Sequence, residues 1–312
     1  MAVSAPSRIA YPGNRRFALT IVDDTDGSTL ENTRPVYEFL RSLGFRTTKT
    51  VWPLAGRNAN GSSLEDPAYA EFVRQLQAWG NEIALHNVQD GSADRARIEA
   101  GLERFCQVVG SHPRTHCNHM SNRDNLYWGP ARLRSPIVRW SYQLASRFRD
   151  CGRFTGHIPE SPYFWGDLCR QRIEYVRNLV WDEINLENIN PTLPYTDASK
   201  PYVRFWFSSC DGANVDSFCR LLCDANQQRL EDQAGVAIVY THFASGFCHD
   251  GRLDPRFVLV MKGLANRNGW FVPVAELLDF RRQQLGDLEI PAGELKRMER
   301  RWLRYKMRVG VT

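Results

Sequence analysis

Short apolar runs alternate with longer amphipathic segments along most of the chain. The first run, residues 17–22, is apolar or β-prone throughout, which is typical of a strand buried in a parallel sheet. A helical segment follows at residues 30–43 and ends at Gly44, a common C-terminal stop. Strand–helix pairs of this kind recur about seven or eight times. The pattern predicts an α/β fold with a parallel sheet, most simply one closed into a barrel.

The same criteria place the remaining elements. Strands are predicted at residues 45–52, 81–86, 113–118, 154–157, 201–208, 235–242 and 270–272. Helices are predicted at residues 67–79, 94–109, 167–179, 215–228, 255–267 and 274–284, with broken helical turns at 126–144. Residues 185–200 are polar, proline-rich and irregular. Structureless loops of that length are uncommon in compact domains, so we interpret this one as a lid or a wall of a substrate site.

Length and composition favour a single domain. The chain has 312 residues and is 43% hydrophobic, which is enough for one large α/β core. No linker, repeat or low-complexity tract divides it. We therefore predict one catalytic barrel domain over residues 1–312, with a core at about 15–285 and a basic helix at about 291–308.

Charge is concentrated near the C-terminus. The net charge of +5 is modest and does not by itself imply nucleic-acid binding. Lysines and arginines share the last helix with Trp302, Leu303 and Met307, so this helix is basic and amphipathic. Its basic side is either a solvated face of the domain or a peripheral contact with an anionic membrane or glycan.

The sequence predicts a cytoplasmic protein with reduced thiols. The N-terminal stretch has no apolar signal region, and no run of eighteen apolar residues follows. The eight cysteines show neither a CxxC pair nor zinc-finger spacing.

Three acids follow the first strand directly: Asp23, Asp24 and Asp26. The carboxyl ends of parallel strands meet at one mouth of a barrel, where catalytic groups collect. Carboxylates this close repel one another unless a cation holds them, so a metal ion is the simplest explanation. The structural alternative is a cluster that caps the next helix.

Histidines occupy comparable positions farther along the chain. His86 and His242 lie at the ends of predicted strands, and His119 follows another. Carboxylate oxygen combined with imidazole nitrogen suits zinc or a similar divalent ion with an open water position. Asp90, four residues after His86, is a further candidate ligand if a helical turn begins there.

Several segments resemble the motifs of NodB-like polysaccharide deacetylases, the family-four carbohydrate esterases. Residues 19–24, LTIVDD, resemble the opening TFDDG motif, and residues 80–86, GNEIALH, resemble the GHEIGxH motif. Residues 238–242, IVYTH, resemble the late LxH motif, and residues 269–276, GWFVPVAE, resemble the closing strand and helix. The order and spacing match over roughly residues 15–285. The resemblance implies a distorted (β/α)7-8 barrel.

The resemblance also implies roles for individual residues. Asp23 would be the general base, and Asp24 and His86 would bind the metal. Asp26 would then shape the turn or cap the next helix. His242 would be the general acid that protonates the leaving amine. From first principles, a divalent ion would polarise the acetyl carbonyl and acidify a bound water, whose proton Asp23 would take.

The sequence departs from the family pattern at several points. Asp90 stands where the family has a second metal-binding histidine, so either Asp90 or His119 would complete the site. Thr25 replaces the glycine after the aspartate pair. The third motif, which supplies an arginine that orients the base, is not recognisable, and Arg114 is a loose substitute.

Aromatic residues are the predicted means of binding substrate. Tyr127, Trp128 and Trp165 lie in loops near predicted strand ends. Sugar rings stack on aromatic faces, although core packing explains many aromatics equally well.

The leading hypothesis is a metal-dependent hydrolase that removes an acetyl group from an acetylated carbohydrate. Family resemblance further implies surface-polysaccharide biosynthesis, of the O-antigen or capsule type. A catalytically inactive glycan-binding or scaffold protein on the same barrel is the first alternative, favoured by Asp90 in place of histidine. A glycoside hydrolase is the second, but it needs two well-placed carboxylates and the strand ends are rich in histidine.

Overall fold

The computed structural model describes residues 9–56 and 60–310. Its strands, in chain order, are β1 (Phe17–Asp23), β2 (Thr48–Val51), β3 (Glu82–Leu85), β4 (Thr115–His116), β5 (Tyr175–Trp181), β6 (Tyr195–Thr196), β7 (Phe205–Asp211), β8 (Val236–Thr241), β9 (Cys248–His249), β10 (Arg252–Leu253), β11 (Gly269–Phe271) and β12 (Leu288–Glu289). The helices are α1 (Leu30–Ser42), α2 (Pro67–Ala78), α3 (Arg95–Val109), α4 (Pro136–Ala145), α5 (Gly166–Arg172), α6 (Val215–Leu221), α7 (Asp224–Asp232), α8 (Pro255–Ala265), α9 (Val274–Leu285) and α10 (Ala292–Val309).

Parallel strands close a barrel. They pair in the order β1–β2–β3–β4–β5–β7–β8, and β8 pairs again with β1. The closing pair is long, since residues 18–23 of β1 lie in register with residues 236–241 of β8. Strand β1 is buried along its whole length, as its unbroken apolar sequence predicts. The prediction of a distorted (β/α)7-8 barrel is confirmed.

Helices cover the outside of the barrel through apolar stripes. Helix α1 begins after Thr29, whose side chain forms a capping box with Asn32, and it buries Val36, Tyr37 and Leu40. Helix α2 starts at Pro67 behind its Asp66 cap, as the sequence indicates. These helices hold the strands so that their carboxyl ends open on one side.

The predicted boundaries fail mainly between residues 150 and 232. The helix predicted at 167–179 stops at Arg172, and the chain continues as β5. No strand forms at 154–157, and the helix predicted at 215–228 is two helices, α6 and α7. Segment 185–200 is irregular as predicted, apart from one short 3-10 turn and β6.

The C-terminal helix α10 packs on the barrel. Its inner face buries Leu295, Met298, Trp302 and Leu303, and the helix lies against α4 and β5. Within the described residues, no helix combines the length and apolar character that a membrane crossing needs.

Candidate active site

Asp26 is the centre of a cluster of polar side chains at the carboxyl mouth of the barrel. Its Oδ1 lies 2.8 Å from Nε2 of His119, and its Oδ2 lies 3.0 Å from Nε2 of His86. Nε2 of His242 lies 3.5 Å from the same Oδ2. The barrel thus brings together all three predicted histidines around one carboxylate.

Asp26 was predicted to shape a turn or cap α1, and its placement corrects that interpretation. Thr29 caps the helix, which leaves Asp26 free to point into the mouth. Gly27 follows with φ of 69°, a conformation in which glycine is unstrained. This turn directs the carboxylate of Asp26 at the histidines.

Asp23, the predicted general base, lies outside the cluster. Its Oδ2 accepts hydrogen bonds from Nζ of Lys49 at 2.8 Å and the hydroxyl of Tyr37 at 3.1 Å. Its Oδ1 accepts from the backbone N–H of Phe243 at 2.8 Å, and the residue is fully buried. Both oxygens are occupied and neither faces the mouth, so the geometry argues against Asp23 as a base.

Asp24 faces the mouth and is paired with Arg177. The guanidinium of Arg177, on β5, makes a bidentate contact with both carboxylate oxygens, at 3.0 Å for Nη1 to Oδ1. The guanidinium also lies over the ring of Tyr240, 4.6 Å from its centroid. Burial alone would raise the pKa of Asp24, but Arg177 and His86 outweigh it and hold this pKa below its ordinary value.

Neighbouring amides fix the orientation of His119. Its Nδ1 lies 2.9 Å from Oδ1 of Asn122, and its backbone N–H donates to Oδ1 of Asn87 at 2.7 Å. Because the amide oxygen accepts a hydrogen bond from Nδ1, Nε2 is the nitrogen that faces Asp26. Burial would lower the pKa of His119, but Asp26 raises it to about 9.

Asp90 does not reach the centre of the cluster. Its Oδ1 lies 4.0 Å from Nδ1 of His119, on the side of the ring opposite Asp26. The sequence left the third ligand open between these two residues, and the geometry favours His119.

A divalent cation fits the donor atoms around Asp26. One oxygen of Asp26 and one nitrogen each of His86 and His119 lie within 4.8 Å of one another. A second set, Asp24, Asp26 and His242, meets the same distance, but Arg177 already neutralises Asp24. Oδ2 of Asp26 is buried without a hydrogen-bond partner, as expected of an atom placed to bind an ion. The first set is therefore the better candidate.

His242 is held at the other side of the cluster. Its Nδ1 lies 2.8 Å from the carbonyl oxygen of Ala213, to which it donates, so Nε2 faces the mouth. Burial would lower the pKa of His242, but the nearby carboxylates of Asp26 and Asp24 raise it above its ordinary value. The ring is placed to carry a proton toward the cleft.

Other residues predicted to bind substrate have different positions. Arg114 precedes β4 at the opposite end of the barrel, where it pairs with Glu174 and Asp279. Trp165 is 1% exposed, and its Nε1 donates to the backbone of Asp124. These placements argue against substrate contacts at the mouth.

Of the predicted aromatic residues, Trp128 alone lines the cleft. Tyr127 is 7% exposed and stacks on His157, with ring centroids 4.3 Å apart. The cleft has a volume of about 860 Å³ and extends from the Asp26 cluster to Trp302, Tyr305 and Lys306 of α10. The C-terminal helix is therefore one wall of the site.

Sequence reasoning missed Arg177 because it placed a helix across β5. The available signal was the run of aromatic and β-branched residues around it, YVRNLVW, which is typical of a strand. Arg177 pairs with an aspartate at the mouth, which Arg114 does not reach.

Solved structures share this architecture at low sequence identity. A protein from Mycobacterium smegmatis named as a polysaccharide deacetylase is 12% identical, with a TM-score of 0.50 over 91% of this chain and 97% of that chain. A protein from Pseudomonas aeruginosa PAO1 with the same kind of name is 12% identical, with a TM-score of 0.51 over 91% and 96%. The Puue allantoinase is 11% identical, with a TM-score of 0.52 over 91% and 96%.

No protein-family model and no curated protein sequence matches the chain. The shared architecture nevertheless confirms, for the fold, the resemblance read from the sequence motifs. The chain has the distorted barrel fold of the polysaccharide deacetylases.

Proposed function

We propose that this protein is a metal-dependent hydrolase that removes an acetyl group from an acetylated carbohydrate. The observation that carries the proposal is the convergence of three imidazoles on the carboxylate of Asp26, beside the Asp24–Arg177 pair. Metal-assisted acyl hydrolysis needs such a set: ligands, a base and an acid at one mouth.

Asp26, His86 and His119 would hold the metal, for which zinc suits two imidazoles and a carboxylate. When bound, such an ion polarises an acetyl carbonyl and lowers the pKa of a water molecule. This assignment moves the ligand aspartate from Asp24 to Asp26.

Asp24 is the proposed general base. Arg177 keeps its carboxylate ionised and fixes both oxygens in one plane. An ionised carboxylate facing the cleft can take a proton from the attacking water.

His242 is the proposed general acid. Its ring is anchored through Nδ1 to Ala213, which leaves Nε2 to donate a proton to the departing nitrogen or oxygen of the sugar. Asp24 and Asp26 favour the protonated imidazole that this step requires.

The carbohydrate part of the proposal rests on the cleft and the shared fold. Trp128 offers an aromatic face, and polar groups line the remaining walls. We further propose a role in surface-polysaccharide biosynthesis, with exposed arginines of α10, such as Arg300 and Arg304, as a contact for an anionic membrane or glycan.

A glycoside hydrolase receives less support from the cleft. Asp182 and Asp211 line it, but Asp182 pairs with Arg308 at 3.3 Å, and Asp211 accepts from Tyr305 at 2.6 Å. An inactive scaffold would have no need to aim three imidazoles at Asp26. Metal binding separates these alternatives from the hydrolase.

Metal content and acetate release test the proposal. We expect zinc-supplemented protein to bind about one equivalent, and Asp26→Asn and His119→Ala to lower the occupancy at least about tenfold because each removes a ligand. Asp90→Ala is the matched control and should keep the metal. Asp24→Asn should also keep it but release acetate from N-acetylglucosamine oligomers or acetylated xylan about 10²–10⁴-fold more slowly.

Two results would contradict this assignment. Full metal occupancy in both Asp26→Asn and His119→Ala would place the ion elsewhere. Unchanged acetate release in Asp24→Asn would remove Asp24 as the base. Allantoin, tested in parallel, checks hydrolysis of a cyclic amide as a different reaction on the same fold.

A further inference from the structure

Arg132 is a buried cation on the wall of the cleft. It ends the 3-10 turn Gly129–Arg132 and is 5% exposed. Its guanidinium lies over the ring of Trp128 at 3.2 Å from the centroid, with the ring of Trp302 at 5.6 Å on α10. Stacking occupies the faces of a guanidinium but leaves its N–H groups free to bond in the plane.

Arg132 has no direct ionic partner in the part of the chain that the structure describes. It makes neither an ion pair nor a side-chain hydrogen bond there, and its Nε is buried without a partner. The nearby carboxylate of Asp150 accepts instead from the hydroxyl of Tyr142 at 2.6 Å. Burial lowers the pKa of Arg132 to about 9, which reflects the cost of holding this charge alone. Buried arginines are usually paired, so this one lacks its counter-ion.

Lys306 of α10 lines the same cleft and is also without an acidic partner within 4.0 Å in the described chain. The acids on this wall are engaged elsewhere, because Tyr305 donates to Asp211 and Arg308 pairs with Asp182. The wall therefore presents two cations that form no direct ion pair with a carboxylate of the described residues.

We propose that Arg132 and Lys306 bind an anionic group of the substrate, a carboxylate or a phosphate, while its sugar ring lies against Trp128. The proposal rests on the proposed function and narrows its substrate class to acetylated sugars that carry a negative charge. A guanidinium fork with a neighbouring ammonium suits either oxyanion. Uronic acids and sugar phosphates are the two sources of such a group.

Purely structural stacking is the competing explanation for Arg132. Stacking on tryptophan accounts for the position of its plane but not for the buried, unpartnered Nε. It also does not account for Lys306, which lies on the same wall with no carboxylate of the described chain within ion-pair distance. A substrate anion explains both side chains at once.

Calorimetric titration of the zinc-loaded protein tests the subsite without requiring turnover. The probes are glucuronate, glucose 1-phosphate and neutral methyl glucoside. We expect at least one charged sugar to bind about tenfold or more tightly than methyl glucoside, because each direct charge contact adds to the affinity. Tighter binding of glucuronate would identify the anionic group as a carboxylate, and tighter binding of glucose 1-phosphate would identify it as a phosphate.

Variants assign the binding to this wall. Lys306→Met and Arg132→Met should each weaken binding of the charged sugar about tenfold or more and leave methyl glucoside unaffected. Lys296→Met, an exposed lysine on the same helix, is the matched control and should bind like the parent. Thermal unfolding and metal content verify each variant, and Lys306→Met decides alone if Arg132→Met does not fold.

Equal binding of charged and neutral sugars would overturn the subsite, and so would charged-sugar binding that survives in Lys306→Met, because the anion would then lie on the metal. These outcomes are independent of the deacetylase proposal. If charged sugars bind through Lys306 but the protein releases acetate from no substrate, the proposed hydrolase activity is wrong and the proposed anion subsite stands.

Discussion

Lys49 and Asp23 form an ion pair that is fully removed from solvent. The two side chains are 0% exposed, and Ser28 accepts a second hydrogen bond from the ammonium at 2.9 Å. Burial would lower the pKa of Lys49, but Asp23 raises it above its ordinary value. The pair joins β1 to β2 beneath the Asp26 cluster, so it holds these two strands together.

Removing the charge of Asp23 should therefore affect stability more than chemistry. We expect Asp23→Asn to lower the free energy of unfolding by about 3–5 kcal/mol, because it leaves the ammonium of Lys49 buried and uncompensated. Urea denaturation measures this loss. Metal occupancy of the folded fraction should stay at the parental value.

The double variant Asp23→Asn/Lys49→Met is the control, because it removes the stranded charge and should recover part of the stability. A stable Asp23→Asn protein that has lost acetate release would instead return Asp23 to the catalytic role that the sequence motif suggested.

At the scale of elements, α10 both stabilises the fold and lines the cleft. Trp302 is 0% exposed, and its ring stacks on Tyr142 of α4 with centroids 5.7 Å apart. The neighbouring Tyr305 and Lys306 face the cleft. One helix thus supplies both a core contact and a wall of the site.

Truncating Trp302 tests how firmly this wall is held. We expect Trp302→Ala to lower the free energy of unfolding by about 3–5 kcal/mol, since it leaves a large cavity between α10 and the barrel. Met307→Ala is the control on the same helix, where the side chain is 67% exposed, and should change stability by less than about 0.5 kcal/mol. Urea denaturation measures both losses of unfolding free energy. Equal losses in the two variants would mean that α10 does not pack firmly on the domain.

Strands and helices with a regular pattern of apolar residues were predictable from the sequence, whereas β5 was not. Strand β1 is apolar throughout and buried, so its sequence identifies it directly. Strand β5 carries Arg177 and Asn178 in its buried middle, where they interrupt the apolar run that is typical of a buried strand. Arg177 interrupts the strand pattern because it pairs with Asp24 at the mouth, so the polar residue that belongs to the candidate site is also the one that hid the strand.

At the scale of the whole molecule, a polar network closes the barrel at the end opposite the site. Arg114 before β4 bonds both Glu174 before β5 and Asp279 of α9, and Arg282 of α9 bonds Glu174. Tyr175 donates to Asp279 at 2.6 Å. The network joins two strands to α9 on the outside of the barrel.

This network makes stability depend on pH in the acid range. Burial would raise the pKa of Asp279, but Arg114 and Tyr175 outweigh it and lower this pKa from 3.8. A carboxyl with a lower pKa when folded stabilises the fold above the unfolded value and loses that contribution as pH falls through the folded value. Parent protein should therefore lose stability below about pH 4.

Urea unfolding of chelator-treated protein from about pH 6 to pH 3 measures the effect. Asp279→Asn should show a shallower decline than the parent, because its side chain no longer titrates. Exposed Glu160→Gln is the control and should follow the parental curve. Parallel curves for the parent and Asp279→Asn would show that this network does not contribute.

The site was predictable in its histidines and less so in its acids. A strand end is a robust prediction, and a barrel brings strand ends together, so His86, His119 and His242 could be identified from position alone. Which of three close aspartates faces the mouth depends on side-chain alternation at the strand end. Successive residues point to opposite sides, so Asp23 packs beside Lys49 while Asp24 and Asp26 share the mouth.

The contributions to the mouth are divided along the chain. The proposed metal ligands Asp26, His86 and His119 all precede residue 120, whereas Arg177 lies on β5 and His242 follows β8. On the proposed assignment, changes in the later part of the chain can therefore alter proton transfer and the shape of the cleft while the proposed metal ligands stay in place. In evolution, such a barrel can inherit its metal chemistry from one half and acquire new leaving groups through the other.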